Sequence, residues 1–283
     1  MEPALYVVAT PIGNLSDLSA RAEETLRQVS VVYAEDTRRT GRLLKHLDSS
    51  RPLRSLHAHN EAKRIAEVLA RLADGETCAL VTDAGTPAVS DPGRRLVEAV
   101  TKAGYKVSPI PGPSAVLAAL SVAGMSGDRF TFLGFPPRRG SAREEWIRVL
   151  AVAAVTAVFF ESPRRISGTL ADLEAAGLGT RRLAVCRELT KLHEDTRYGT
   201  VSELAGYYGG EDVRGEVTVV VEGAASTDLD EEQRIDPEIL EAAARDMATA
   251  GMTRSSIAQE LRQVYGISRN EAYRLSLNVK SKG

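Results

Sequence analysis

The feature that most restricts the fold is an alternation in the first ~125 residues, where short β-branched runs are separated by longer stretches of helical spacing. The runs are Leu5–Ala9, Val29–Ala34, Leu53–His57, Cys78–Thr82 and Lys106–Ile110. Between them, Glu61–Ala73 carries Ile65, Val68, Leu69 and Leu72 on one helical stripe. Strands that alternate with helices in this way predict an α/β fold, a largely parallel sheet with helices on both faces. Residues 1–125 therefore read as one α/β domain. Met125–Arg129 reads as a short linker, and residues 126–222 as a second α/β domain with runs at Phe130–Phe135, Val155–Phe160, Leu183–Glu188 and Glu216–Val221. Residues 223–235 are small, polar and acidic and read as a flexible linker. In the remaining segment, 236–283, Asp236 offers an N-cap and Pro237 the first position of a small helical appendage.

Composition narrows the functional classes. A chain of 283 residues can bury two cores, and 43% hydrophobic with 26% charged residues is the balance of a soluble globular protein. No apolar run approaches the roughly 18 residues of a membrane span, so no membrane association is expected. Met1-Glu2-Pro3-Ala4-Leu5 lacks a basic segment followed by an apolar one, which points to the cytoplasm rather than secretion. Cys78 and Cys186 each sit inside an apolar run and read as reduced core residues. The net charge of −2 means that any nucleic acid must be met by local basic patches.

Three loops follow strands of the first domain: Thr10-Pro11-Ile12-Gly13-Asn14, Asp83 to Gly93, and Pro111-Gly112-Pro113-Ser114-Ala115. In an open parallel sheet the carboxyl ends of the strands face one crevice, where ligands bind. Glycine lets a ligand approach the backbone closely, and proline fixes a loop before binding. Neither a phosphate-binding G-x-x-x-x-G-K-[ST] nor a dinucleotide G-x-G-x-x-G is present. His57 and His59 form an H-x-H pair with nothing nearby to complete a set, and His46 and His193 are isolated, so no metal site is expected.

Pro11 and Gly13, the Gly85-Thr86-Pro87 loop and Ile110-Pro111-Gly112-Pro113-Ser114-Ala115 resemble the cofactor loops of the tetrapyrrole-methylase superfamily. More narrowly, Ala9 to Leu15, Ala34-Glu35-Asp36-Thr37-Arg38, Thr82 to Pro87, Ser90-Asp91-Pro92-Gly93, Glu161-Ser162-Pro163-Arg164-Arg165 and Arg187-Glu188-Leu189-Thr190-Lys191 resemble the bacterial ribosomal RNA small-subunit methyltransferase I family. That family 2′-O-methylates a decoding-centre cytidine. The resemblance runs in order over roughly residues 4–222. It implies two α/β domains with S-adenosylmethionine in the cleft between them, in a homodimer. It also implies cofactor contacts at Pro11, Ala84, Gly85, Thr86, Val89, Ser114, Ala115 and Phe160 or Glu161, within loops that include Gly13 and Asp83. Many tetrapyrrole-modifying relatives carry aspartate where this chain has Thr86. The chain also reads Phe135-Pro136-Pro137 and Pro163-Arg164-Arg165 where the family pattern leads one to expect Phe-Leu-Pro and Pro-His-Arg.

Methyl transfer from a sulfonium is an in-line displacement, so positioning is the main task. A ribose hydroxyl is a weak acid, and a carboxylate that takes its proton would help. Glu35, Asp36 and Glu161 stand at strand ends facing the crevice and are the candidates. Asp36 with Glu35 could instead cap a helix at Thr37, and Glu161 could pair with Arg164. The doublets Arg38-Arg39, Arg138-Arg139 and Arg164-Arg165 are candidate contacts to small-subunit ribosomal RNA, whereas Arg181-Arg182 reads as a solvated face. From Arg254 onward six basic residues face two acidic ones, a local charge of +4, on two helices that resemble a helix-turn-helix. In that segment Ile257, Leu261 and Val264 share a face, Gly266-Ile267 forms a break, and Ser268 with Glu271 makes a capping box. A tetrapyrrole methyltransferase would share the cofactor loops but not the arginine doublets or the helical tail. A catalytically silent RNA-binding ribosome-assembly factor would share the fold without turnover.

Overall fold

Strand periodicity sorts the first half of the chain into two apolar faces. The elements are β1 (Leu5–Val8), α1 (Ala20–Gln28), β2 (Val31–Ala34), α2 (Thr37–His46), β3 (Leu53–Ser55), α3 (Glu61–Ala73), β4 (Cys78–Leu80), α4 (Arg94–Lys102) and β5 (Val107–Ile110). Successive side chains of a strand point to opposite faces. Tyr6, Val8, Val32, Ala34 and Ala79 accordingly pack with Ala22 and Leu26 of α1 and Leu43 and Leu44 of α2. Their neighbours Leu5, Val31, Tyr33, Cys78 and Leu80 pack with Val68 and Leu72 of α3 and Leu96 and Val100 of α4. The strands lie in the order β3-β2-β4-β1-β5, every pair parallel. Because β4, β1 and β5 are adjacent, the three Gly/Pro loops that follow them leave the same edge side by side. Each strand is shorter than the sequence predicts, by up to two residues at an end.

The computed structural model describes residues 1–57, 59–224, 237–265, 267 and 269–278. Contacts divide the chain into two compact units, residues 1–147 with 156–222, and residues 148–155 with 223–283. Beyond β5 come α5 (Ala115–Val122), β6 (Phe130–Phe132), α6 (Ser141–Ala151), β7 (Thr156–Glu161), α7 (Ile166–Leu173), β8 (Arg182–Arg187), β9 (Asp195–Thr200), α8 (Val201–Tyr208) and β10 (Val217–Val221). The second sheet has the order β6-β7-β10-β8-β9. Only β6 and β7 are parallel; the other pairs are antiparallel. Strand β9, Asp-Thr-Arg-Tyr-Gly-Thr, is missed by sequence reading because an edge strand half open to water needs no apolar face. Helix α5 buries Val116, Ala119 and Ala123 against Val158, Ala184, Cys186 and Val220 of the second sheet, although its residues follow directly on β5. Both cysteines are buried and free, and burial pushes the Cys78 thiol up to about 12 and that of Cys186 to about 11.

The other unit contains α9 (Pro237–Thr249), α10 (Arg254–Tyr265) and α11 (Arg269–Asn278). Leu240, Ala244, Ile257, Leu261, Ala272 and Leu275 form its core. Thr253 caps α10, its hydroxyl accepting the Ser256 N–H at 3.3 Å. Val264 departs from the expected apolar stripe: it is 59% exposed, while Ile257 and Leu261 are fully buried. The Asp236 cap, residues 225–235 of the expected linker, Gly266, the Ser268 box and Lys280 and Lys282 lie outside the described residues. No described helix is long and apolar enough to cross a membrane.

Gly93 shows how tightly the first sheet is closed. Its φ is +120°, and a Cβ there would lie 2.6 Å from Cδ2 of Leu80, which is itself buried. Gly93→Ala should therefore cost about 1–3 kcal/mol through overpacking and backbone strain. Denaturant unfolding measures this, and an unchanged midpoint would mean that Leu80 repacks freely.

Candidate functional site

Two backbone hydrogen bonds join the first two loops. The Thr10 N–H donates to the Gly85 carbonyl at 2.9 Å, and the Gly85 N–H donates back to the Thr10 carbonyl at 3.0 Å. The Thr10 hydroxyl donates to the Thr82 carbonyl (3.1 Å), and the Thr86 hydroxyl donates to the Pro113 carbonyl of the third loop (3.4 Å). Thr86 thus ties two of the loops together. Gly85 makes this possible because its φ of +84° is one that side-chain-bearing residues rarely adopt. Ala88 and Ser90, with φ of 67° and 61°, adopt the same left-handed region without being glycine, and Val89 stands between them. Backbone held in such sparsely populated conformations needs rigid surroundings and concentrates at ligand sites.

These loops enclose a cavity of about 440 Å³, in the range of small-molecule sites. Asp83, Ala84, Gly85, Thr86, Val89, Ser114 and Ala115 form one side, and Phe135, Phe160 and the Gly215–Thr218 edge form the other. Of the residues expected to meet a cofactor, Pro11 and Gly13 alone are not on its walls. They line an adjoining cavity of about 450 Å³ that shares Ile12, Arg39, Asp83, Ala84 and Glu216 with the first. Gly13 is packed so closely that a Cβ would lie 2.4 Å from Cγ of Lys191, and the neighbouring Asn14 N–H donates to the Thr190 hydroxyl at 3.1 Å. The motif at 187–191 thereby gains a job that sequence reading did not assign: it is the surface against which the first loop seats. Its Glu188 carboxylate accepts from Lys191 Nζ (2.7 Å) and from the Glu216 N–H (2.9 Å). Burial raises the Glu188 pKa, but these two donors outweigh it and hold the carboxyl below its ordinary range.

The three candidate carboxylates prove unlike one another. Glu35 is on the cavity wall and makes no hydrogen bond or ion pair among the described residues. Desolvation, then the Asp91 and Asp83 carboxylates, raise its pKa. Asp91, on the same wall, is also raised, chiefly by burial. Asp36 lines neither cavity; it caps α2, its Oδ1 accepting the Arg38 N–H at 2.8 Å while Oδ2 meets the Arg38 guanidinium at 2.8 Å. Those hydrogen bonds from Arg38 hold its pKa well below the usual range. The catalytic expectation for Asp36 is therefore replaced by the capping one.

Glu161 is also on the cavity wall, but in a different setting. Its side chain is wholly inaccessible, and its carboxylate accepts from the Thr169 hydroxyl (2.6 Å) and the Ser162 N–H (2.7 Å) and faces Arg165, not Arg164, at 3.5 Å. These partners commit its charge to the scaffold. Sequence reading missed the rest of this network. Thr169 also accepts from Arg143 (3.1 Å), Arg143 pairs with Asp172 (2.6 Å), and Arg143 and Arg165 donate to the Pro137 and Pro136 carbonyls at 2.9 and 2.8 Å. These four residues are scattered over 30 positions and show no local pattern.

The arginine doublets divide in the same way. Arg165 donates to the Pro136 and Pro137 carbonyls, and Arg38, its side chain 85% exposed, pairs with Asp36. Arg138, Arg139 and Arg164 are exposed. Arg39 lines both cavities, 3.7 Å from Asp83, whose other oxygen accepts the Asp36 N–H at 3.0 Å. Asp83 thus anchors the start of α2 from the cavity wall. His57 contacts Asn60 at 3.1 Å, and no group of three or more His, Cys, Asp or Glu converges among the described residues. The contrast between the carboxylates is measurable: Glu161→Gln should lower stability by about 1–3 kcal/mol, since a buried hydrogen-bonded charge is lost. Glu35→Gln should leave the unfolding midpoint within about 0.5 kcal/mol, as expected for a surface change. Equal midpoints for the two variants would contradict the assignment.

A family model described as Tetrapyrrole (Corrin/Porphyrin) Methylases matches residues 4–205. The chain is 41% identical over 279 residues to the Ribosomal RNA small subunit methyltransferase I of Synechocystis sp., covering 99% of both chains. Its fold is similar to that of diphthine synthase, with a TM-score of 0.62 at 17% identity over 80% of this chain and 92% of the other. It is similar, too, to the uroporphyrin-III C-methyltransferase of Thermus thermophilus complexed with S-adenyl homocysteine, with a TM-score of 0.55 at 18% identity over 77% and 97%. At such identities the solved structures bear on the fold alone. The loops, the two sheets and the full-length likeness together establish that the chain belongs to the ribosomal RNA small subunit methyltransferase I family, within the tetrapyrrole methylases.

Proposed function

We propose that this chain transfers a methyl group from S-adenosylmethionine to the 2′-hydroxyl of a cytidine ribose in small-subunit (16S) ribosomal RNA. The observation that carries the reading is the unpartnered Glu35 carboxyl on the wall of a cavity built by all three loops. The cavity fits the donor chemically: Ile12, Val89, Val116 and Phe160 offer an apolar lining for a base, and Glu35 and Asp91 put negative charge on the wall beside it. When bound, the donor supplies an electrophilic methyl group on a cationic sulfur. The chain's own contribution is then position and proton acceptance. Well-oriented reactants can gain on the order of 7–11 kcal/mol from position alone, and the tied loops supply a wall that does not need to reorganise.

Glu35 takes the hydroxyl proton. Its raised pKa brings its basicity closer to that of a working general base than an ordinary glutamate's. RNA is the macromolecular partner, as free rRNA or within a subunit, and Arg39, Arg138, Arg139 and Arg164 are its contacts at the cavity mouth. The working form is a homodimer in the cytoplasm; Leu117 and Val122 of α5 and Leu192 are exposed apolar side chains that a second copy would cover. The basic helices α10 and α11 add RNA contact, and the segments at 1–125 and 126–222 act as the two halves of the cofactor cleft.

Labelled donor offered with total RNA, isolated small subunits and tetrapyrroles in parallel tests the reading. Label should enter small-subunit RNA alone, at a ribose. Label in a tetrapyrrole, or in nothing, would overturn it. Donor at ~100 times its dissociation constant should stabilise the fold by about 2.7 kcal/mol. Glu35→Gln should lose about 10²–10⁴ in kcat with donor affinity intact. A base must be ionised, so wild-type activity should fall as pH drops through the raised Glu35 pKa, and the amide variant should lack that limb. A variant that keeps both the rate and the limb excludes Glu35 as base.

A further inference from the structure

The second cavity shares Asp83 and Ala84 with the first, is lined also by Pro11 and Gly13 of the first loop, and has cations of two kinds. Arg39 lies 3.7 Å from Asp83, and Lys191 is bonded to Glu188 (2.7 Å) and Glu216 (3.1 Å), so both of those charges are balanced within the wall. Arg42 is different. It lines the cavity, its side chain is exposed, and among the described residues it makes no ion pair or hydrogen bond. It stands three residues after Arg39 on α2, so the two share one helix face. That helix is anchored at its start, because Asp36 caps it and Asp83 accepts the Asp36 N–H. The opposite wall is equally fixed, since Gly13 lies against Lys191 too closely for any side chain. An unbalanced guanidinium on the wall of a cavity of about 450 Å³ beside the donor cavity is suited to an anion that offers two oxygens to its fork, as a phosphodiester does.

We propose that this second cavity is the seat of the substrate strand, and that Arg42 holds the phosphodiester next to the nucleotide that presents its hydroxyl to the first cavity. The proposal rests on the RNA reading above. The walls shared by the two cavities, Ile12, Asp83 and Ala84 among them, put the strand's ribose next to the donor without requiring it to enter the donor's own cavity. The other anion that could reach Arg42 is the carboxylate of the donor's amino-acid tail, and the experiment separates the two.

The test compares wild type, Arg42→Ala and Arg42→Lys as full-length proteins. Fluorescence anisotropy with a labelled single-stranded RNA oligonucleotide measures strand binding directly, and calorimetry measures S-adenosylmethionine affinity. Arg42→Ala should weaken RNA binding about tenfold, and the slope of log affinity against log salt should fall by about 0.7, the value for one lost contact to a single strand. Arg42→Lys should recover the slope but only part of the affinity, since a point charge replaces a bidentate fork. Donor affinity should stay within twofold in both. Unchanged RNA affinity and slope in Arg42→Ala would overturn the proposal. So would a loss of donor affinity with RNA binding intact, which would assign Arg42 to the donor's carboxylate. Should wild type methylate no RNA while Arg42→Ala still weakens strand binding as stated, the functional reading falls and the strand site stands.

Discussion

The reciprocal hydrogen bonds between Thr10 and Gly85 are the constraint on which the site depends. Strands β1 and β4 are neighbours in the sheet, and beyond their ends the chain must turn away while its polar backbone groups still find partners. The left-handed turn at Gly85 brings its N–H and carbonyl onto those of Thr10, so a separate antiparallel bridge joins the two loops beyond the parallel strands. Thr86 then reaches the third loop at Pro113. Three segments that are each irregular alone thus become one side of the cavity.

A second consequence concerns charge. Many of the ionisable groups around the two cavities are committed to scaffold: Asp83 to Asp36 and Arg39, Glu188 to Lys191 and Glu216, and Glu161 to Thr169, Ser162 and Arg165. A buried charge is tolerated only when paired and hydrogen-bonded, so these groups cannot easily serve two tasks. What remains is informative. Glu35 and Arg42, one on each cavity, are left without such partners among the described residues, and chemistry or recognition falls to groups of that kind.

The second sheet contributes through contact rather than through motifs of its own. Helix α5 starts at the third loop and packs on that sheet, and Gly13 seats the first loop against residues 189–191. The Phe160 ring lies 5.0 Å from Phe132 and 5.3 Å from Phe135, an aromatic group that closes the cavity from the far side. The Arg143–Thr169–Glu161–Arg165 network stabilises the 136–137 backbone from behind, so the exposed Arg138 and Arg139 project from a held segment and not from a loose loop.

Periodicity and punctuation determined a great deal by themselves. The alternation of strand-like and helical runs was enough to specify the parallel sheet, because a period of two or of 3.6 is a local property that tertiary contacts seldom reverse. The glycines and prolines located the three loops, and their order carried the family resemblance. Strand β9 was not legible, since an exposed edge leaves no apolar pattern. Nor could the sequence distinguish Glu35 from Asp36: adjacent residues at a strand end point to opposite sides, and which side holds a cavity or a helix start depends on partners such as Asp83, 47 positions away. The same holds for Glu161, whose charge is held through Thr169 and Arg165, and for Arg42, which has no ion pair among the described residues. Tertiary structure decided those roles because pairing, unlike periodicity, is set by residues distant in the chain.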